Sequence, residues 1–349
     1  MSNQRAIAAE LGLNQATVSL ALRGHPSIPE RTRQRVEEAA RRLGYRPNAY
    51  VSSLMARIRA GRPTAANGCI AILMEARSAA ESLAVTSEIY RRQHAGMLAR
   101  AAELGFDTEC FYLRAPGMSD RKLDRILDAR GITGLVLAAP KAGSVPVRLS
   151  WERYALATVA YTWRHCVETH RVSTDYRDQI DVVFRQLLQR GYRRIGVVLP
   201  RLALYGRSPV FYWQYKLKEG LEKGQERQPV PVFLGRPGET PPEEFRQWFR
   251  RVRPDALVCQ TGVETEWLDA MGMRVPEDVG LVCVNRPLAS RFSGVEENFE
   301  VIGGMAMELV ANQIIHNEHG LPAHPRSILI RGTWVEGATL RTQTLRPAE

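Results

Sequence analysis

IAAELGLNQATVSLAL, residues 7–22, decides how the chain begins. Ile7 and Leu11 stand four residues apart and so share one face of a helix, and Gly12 provides the left-handed residue that ends it. Asn14 then offers a side-chain oxygen to the unpaired backbone N–H groups that open a second helix, in which Val18 and Leu22 repeat the four-residue spacing. From Pro29 to Leu43 a third helical stretch carries Val36, Ala40 and Leu43 on its inner side. Ser27-x-x-Glu30 forms a capping box before it and Gly44 follows as its stop. Three short helices with a tight turn between the first two make a helix-turn-helix pattern.

Beyond Arg46-Pro47-Asn48, the residues Val51, Leu54, Met55 and Ile58 fall at i, i+3, i+4 and i+7, one apolar stripe on a short helix. Isolated helices shorter than ~12 to 15 residues are marginal in water, so this one needs a partner surface in order to form. Residues 60–68, with Gly61, Pro63 and Gly68, read as a linker. From there strand-like runs (69–74, 107–113, 133–138, 155–160, 172–174, 194–199, 231–234, 256–259, 279–284 and 327–331) alternate with helical stretches (88–104, 119–130, 176–190, 210–223, 241–251, 263–270 and 302–318). About ten short apolar strands separated by helices imply parallel sheets covered on both faces. That number suggests two lobes, with a ligand cleft beyond the carboxyl ends of the strands. The expected organisation is 1–46, 47–67 and 68–345.

Composition points the same way. The formal net charge is +11 over 349 residues, but residues 1–62 hold 11 Arg and 4 Glu, net +7. The remaining 37 Lys+Arg against 33 acids leave only +4 over the other 287 residues. The basic excess is concentrated where a polyanion would be met. Five cysteines, odd in number and without metal-ligand spacing, read as reduced core thiols. The seven histidines are scattered. No apolar run approaches the ~20 residues of a membrane span and no signal-peptide pattern opens the chain, so a cytoplasmic protein is expected. Glycine-rich nucleotide loops, His-Glu-x-x-His and Gly-x-Ser-x-Gly are all missing, which weighs against an enzyme; no cofactor is expected.

Several ordered segments carry a resemblance: Ile7-Ala8, Leu11-Gly12, Ala16-Thr17-Val18-Ser19, Arg31-Thr32, Leu43-Gly44-Tyr45-Arg46-Pro47-Asn48-Ala49, Val172-Ser173-x-Asp175, Gly191-Tyr192-Arg193-Arg194-Ile195-Gly196, Arg253-Pro254-Asp255-Ala256 and Val275-Pro276-Glu277-Asp278-Val279-Gly280. Together they resemble the lactose-repressor/galactose-repressor (LacI/GalR) family of bacterial transcription regulators. The resemblance implies a small all-α helix-turn-helix headpiece, a hinge helix and an α/β two-lobed periplasmic-binding-protein-like domain with parallel sheets. It also implies a homodimer on a pseudo-palindromic operator in double-stranded DNA, controlled by a small-molecule effector in the cleft.

A helix-turn-helix places the start of its second helix in the major groove, here Gln15, Ala16 and Leu20. Gln bonds adenine N6 and N7 bidentately and an Ala methyl packs on thymine. Leu20 reads equally as a core side chain, and it replaces an Arg common in the family. Thr17, Ser19 and Asn48 resemble positions that bond phosphates. Leu54 falls at the hinge leucine that relatives wedge into the minor groove. For the effector the resemblance implies Glu88, Tyr90, Tyr161, Asp175, Tyr212, Trp213, Gln260, Asn285, Asn298 and Phe299, a set of hydrogen-bonding and aromatic side chains suited to a carbohydrate. Two departures leave room for an anionic ligand: Lys216-Leu217 before Gly220, where relatives carry Arg, and Asn285-Arg286, where they carry Asp-Asp. An enzyme with a DNA-binding arm and a nonspecific architectural DNA protein remain as other readings.

Overall fold

The computed structural model describes residues 4–22, 28–43, 68–81, 88–138, 147–161, 163, 167–200, 232–235, 243–260 and 262–343. The expected hinge helix with Asn48 and Leu54, the helix expected over 210–223 with Tyr212 and Trp213, and Ser27, Gly44, Cys166 and Lys216 lie outside them. The chain divides into two compact units, Met1–Arg62 and Pro63–Glu349, a boundary inside the segment read as hinge and linker.

In the first unit α1 (Gln4–Leu11), α2 (Gln15–Ala21) and α3 (Glu30–Arg42) enclose one apolar cluster. Ile7 and Ala8 from α1, Val18 and Ala21 from α2, and Val36, Ala39 and Ala40 from α3 are buried together. Burying each Ile or Val stabilises by about 1.5–3 kcal/mol, which matters in so small a unit. Gly12 closes α1 at φ +63°, as its position suggested. α3 begins next to its expected start, with Pro29 before it giving no side-chain cap, and the capping box expected with Ser27 lies outside the described residues. Arg42 reaches Glu10 at 2.6 Å and ties α3 to α1.

Among the described residues the second unit contains two six-stranded sheets. Its strands are β1 (Cys69–Met74), β2 (Asp107–Tyr112), β3 (Gly134–Leu137), β4 (Ala155–Val159), β5 (His170–Thr174), β6 (Ile195–Pro200), β7 (Phe233–Gly235), β8 (Ala256–Cys259), β9 (Gly280–Cys283), β10 (Ser293–Glu296), β11 (Ser327–Ile330) and β12 (Thr333–Val335). The helices are α4 (Glu88–Glu103), α5 (Asp120–Ala129), α6 (Tyr176–Gln189), α7 (Glu243–Val252), α8 (Glu264–Asp269) and α9 (Phe299–His316). The first sheet runs β11-β5-β4-β3-β1-β2 and the second β12-β10-β9-β8-β6-β7, parallel except where β12 meets β10. Runs such as GLVL, ALATV and ALVC are buried along their whole length, as strands covered on both faces must be.

Twelve strands are described where about ten were expected; β10 and β12 are the additions. SGVE and TWV are too short and too polar to stand out as apolar runs. Among the described elements the chain passes from one sheet to the other after β5, after β10 and after β11. The second crossing begins α9 at Phe299, three residues before the expected start. α9 is apolar nearly all round because it is enclosed, packing on α4 and across β3, β4 and β5 of the first sheet. Its buried Gln313 is satisfied by the backbone of Leu156: Nε2 donates to the carbonyl and Oε1 accepts the N–H, both at 3.2 Å.

α4 and α9 touch backbone to backbone. A Cβ on Gly96 would lie 2.0 Å from the Glu300 carbonyl oxygen, and one on Gly303 would lie 1.9 Å from that of Gln93. Only glycine fits either position.

Candidate functional site

The first site is the outer face of α2. Asn14 caps the helix in an extended conformation, its Oδ1 accepting the Thr17 N–H at 2.7 Å and the Thr17 hydroxyl at 2.8 Å. The Thr17 side chain is thereby part of the cap. Val18 and Ala21 turn into the core, which leaves Gln15 exposed and Ser19, one turn later, half-buried on the same side. Leu20 is half-buried and is not among the side chains packed on the described core, which favours its outward reading. Of the arginines on α3, Arg33 pairs with Glu30 and Arg42 with Glu10, while Arg31, Arg35 and Arg41 are exposed.

The second site is a cleft of about 450 Å³, including the part open to solvent, within the two-lobed unit. Val159 and Ala160 at the end of β4, Ser173 and Thr174 at the end of β5, Gln260 after β8, Asn285 after β9 and Glu297 after β10 all line it. It thus lies at the carboxyl ends of parallel strands, where side chains from separate crossovers converge. Ile89 and Gln93 of α4, Tyr176 of α6, and Phe299 and Ile302 of α9 complete the wall. Glu297, 4% exposed, accepts the Thr174 hydroxyl at 2.6 Å and a Gln179 amide N–H at 3.1 Å. That amide also donates to the Val284 carbonyl at 2.7 Å. Burial pushes the Tyr176 phenol far above its ordinary range, so it stays neutral and serves as a hydrogen-bonding group.

Of the residues expected in the cleft, Gln260, Asn285 and Phe299 line it. Tyr212 and Trp213 lie outside the described residues, and the remaining five make other contacts. Glu88 accepts the Leu288 N–H at 3.2 Å, and Asp175 caps α6 by accepting the Asp178 N–H at 3.1 Å. Asn298 donates to the Arg331 carbonyl at 2.8 Å. Tyr161 receives the Arg171 guanidinium over its ring at 5.2 Å, and Tyr90 is half-buried against the core of the first lobe. Arg286, which could have met an anionic ligand, is 8% exposed, stands 3.9 Å from the Glu296 carboxylate and braces the loop after β9. It donates to the carbonyls of Phe292 and Ser290 at 2.8 Å and of Pro287 at 3.2 Å. The cleft residues not anticipated are the polar Gln93, Ser173, Thr174, Tyr176 and Glu297, together with the apolar Ile89, Val159, Ala160 and Ile302. The available signal was position: Val159, Ala160, Ser173, Thr174 and Glu297 sit at strand ends that open toward the cleft.

Behind Gln260, Cys259 and Glu264 are buried together, and burial raises both the thiol and the carboxyl. A thiol held in that state is a core side chain rather than a nucleophile. Among the described residues no group of three or more His, Cys, Asp or Glu is placed to hold a metal ion. No described helix is long and apolar enough to cross a membrane.

Comparison with known proteins reaches both sites. Residues 5–48 match the bacterial regulatory proteins of the lacI family, and residues 184–340 match the periplasmic binding protein-like domain. The HTH-type transcriptional repressor PurR of Haemophilus influenzae is 21% identical over 342 residues, covering 93% of this chain and 95% of that one. Among solved structures, the complex of the transcriptional regulator CelR with cellobiose superimposes with a TM-score of 0.60 at 19% identity, over 97% of this chain and 100% of that one. The lac repressor dimer bound to operator and an anti-inducer gives 0.54 at 16% identity, over 97% and 99%. The chain thus joins a headpiece of the lacI family of bacterial regulatory proteins, over residues 5–48, to a periplasmic binding protein-like domain over residues 184–340, the order also found in relatives that it matches over nearly their full length.

Proposed function

We propose that this chain is a transcriptional repressor that binds a two-fold symmetric DNA site as a homodimer and releases or grips it according to a small molecule held in the cleft. The observation that carries the reading is α2: a capped helix whose Gln15 and Ser19 face outward from a core made by Val18 and Ala21, in a segment of net charge +7. One such helix reads only a half-site, so two must be held at fixed spacing. Gln15, Ala16 and Leu20 contact base edges, Ser19 and Asn48 fix register on phosphates while Thr17 holds the cap of α2, and Leu54 wedges the central step.

The ligand is a neutral, hydroxyl-rich molecule of the carbohydrate class. The amides of Gln93, Gln260 and Asn285 and the hydroxyls of Ser173 and Thr174 suit hydroxyl groups, and Phe299 suits the apolar face of a ring. The Glu297 carboxylate repels an anion, and no described lining residue is basic. CelR, a structural neighbour, was solved with cellobiose.

The first test is selection of binding sites from a random duplex pool at physiological salt. A symmetric motif is expected; a pool without enrichment would overturn the sequence-specific reading. Against the selected site, Leu54→Ala should lower affinity while leaving ligand-induced thermal shifts unchanged. Calorimetric titration with neutral di- and monosaccharides against their phosphates should find heat only with the neutral set.

A further inference from the structure

Arg92, in the first turns of α4, is 11% exposed and makes three charged hydrogen bonds. Its Nε and Nη2 donate to the two oxygens of Glu300 at 2.6 and 2.7 Å, a bidentate pair, and Nη2 also donates to Glu296 Oε1 at 3.2 Å. The two acceptors belong to different lobes. Glu300 is on α9, which is packed on the first sheet; Glu296 ends β10 of the second sheet. The guanidinium also lies over the ring of Phe299, 5.4 Å from its centroid, and that ring is part of the cleft wall.

The base of this arrangement lies within one lobe and its far arm reaches the other. Where Gly96 and Gly303 bring α4 and α9 into backbone contact, the helices cannot slide without collision, so Arg92 and Glu300 move together. The bond to Glu296 instead spans two lobes. A second link joins the lobes farther along: Glu88 at the start of α4 accepts the Leu288 N–H, in the loop that Arg286 braces.

We propose that Arg92 is a positioning residue that couples the cleft wall to the arrangement of the lobes. It fixes Phe299 from behind with the same guanidinium that clasps Glu296, so displacement of the ring by a ligand and rotation of the lobes bear on one side chain. The purpose assigned to this clasp rests on the sensor reading above; its existence can be measured without DNA or ligand.

The test is hydrogen–deuterium exchange on the full chain for Arg92→Gln, Glu296→Gln, Glu300→Gln and Arg92→Lys. Loss of the clasp should raise exchange of the Leu288 amide roughly fivefold or more in Arg92→Gln and Glu296→Gln, the lower end of a coupling between sites. Glu300→Gln cuts only the arm within one lobe and should leave that amide at the wild-type rate. Arg92→Lys keeps the charge without the fork and should restore only part of the protection. An unchanged Leu288 amide in Arg92→Gln overturns the proposal even where Glu296→Gln raises it, because Glu296 also stands 3.9 Å from Arg286, which braces that loop. So does a Glu300→Gln variant that loosens it as much as Glu296→Gln, because Arg92 would then merely stabilise its own lobe. Affinity for the selected DNA site is a separate arm. If the exchange pattern holds and no site is ever selected, the regulatory reading fails and the clasp stands.

Discussion

The outer face of α2 and the cleft wall use similar polar side chains, but they collect them over very different stretches of chain. Asn14, Gln15, Thr17 and Ser19 lie within six consecutive positions, and one helical turn is enough to sort them into cap and face. Gln93, Thr174, Gln260 and Glu297 come from four elements and more than two hundred positions, and they meet only because parallel strands of both sheets end on the same side. A face built within one helix survives a change elsewhere; a cleft built between sheets depends on every contact that sets how the sheets stand.

The largest break in that comparison should come from Gly303→Ala. The added methyl meets the Gln93 backbone at 1.9 Å, and neither helix can yield without disturbing the other. Overpacking costs typically ~1 to 3 kcal/mol, and a backbone collision belongs at the upper end or above it. Urea unfolding followed by tryptophan fluorescence should show the loss. A neutral result would mean that α4 and α9 are free to separate and that the cleft is less dependent on remote packing than argued.

Gln15→Ala tests the local half. A bidentate contact to a base discriminates by about 1–3 kcal/mol, so the variant should bind the selected site that much more weakly and should accept other bases at one position. A uniform loss across all sequences would assign Gln15 to the phosphates instead. Asn14→Ala is a smaller change in the same helix. Removing a cap costs about 1 kcal/mol, so the headpiece should melt earlier while base preference is kept, as circular dichroism and repeated site selection would show.

The same contrast explains what was legible in the sequence. The three headpiece helices and most strands could be read directly, because Ile7/Leu11, Val18/Leu22 and runs such as CIAILM carry their period within a few residues. β10 escaped because SGVE holds one large apolar side chain, and β12 because TWV holds three residues. In the cleft, Gln260, Asn285 and Phe299 were accessible through resemblance, whereas Gln93 and Glu297 become neighbours of the site only when α9 is laid against α4. Arg286 misled for a related reason. Its charge is visible in sequence, but the three carbonyls that occupy it come from a loop whose path is not.

Two ion pairs carry the comparison to its smallest expected effect. Arg274 and Asp278 are four residues apart, with Nε and Nη2 each donating at 3.0 Å, and the Asp278 carboxyl is held at about 2 by those bonds. Arg92 and Glu300 are 208 residues apart, and hydrogen bonding to Arg92 likewise holds the Glu300 carboxyl below its ordinary 4.5. A carboxylate with a depressed folded value stabilises above its unfolded value and loses that contribution as pH falls toward the folded one. Glu300 should therefore start to fail below pH 4.5 and Asp278 between 3.8 and 2. Both are solvent-exposed enough for screening to keep the contributions small. Urea midpoints measured against pH should show Arg92→Gln flattening the earlier part of the acid limb and Arg274→Gln the later part. If Arg274→Gln alters the limb and Arg92→Gln does not, the remote pair adds nothing to stability. The work of Arg92 would then be confined to the position of Phe299 and the tie to Glu296.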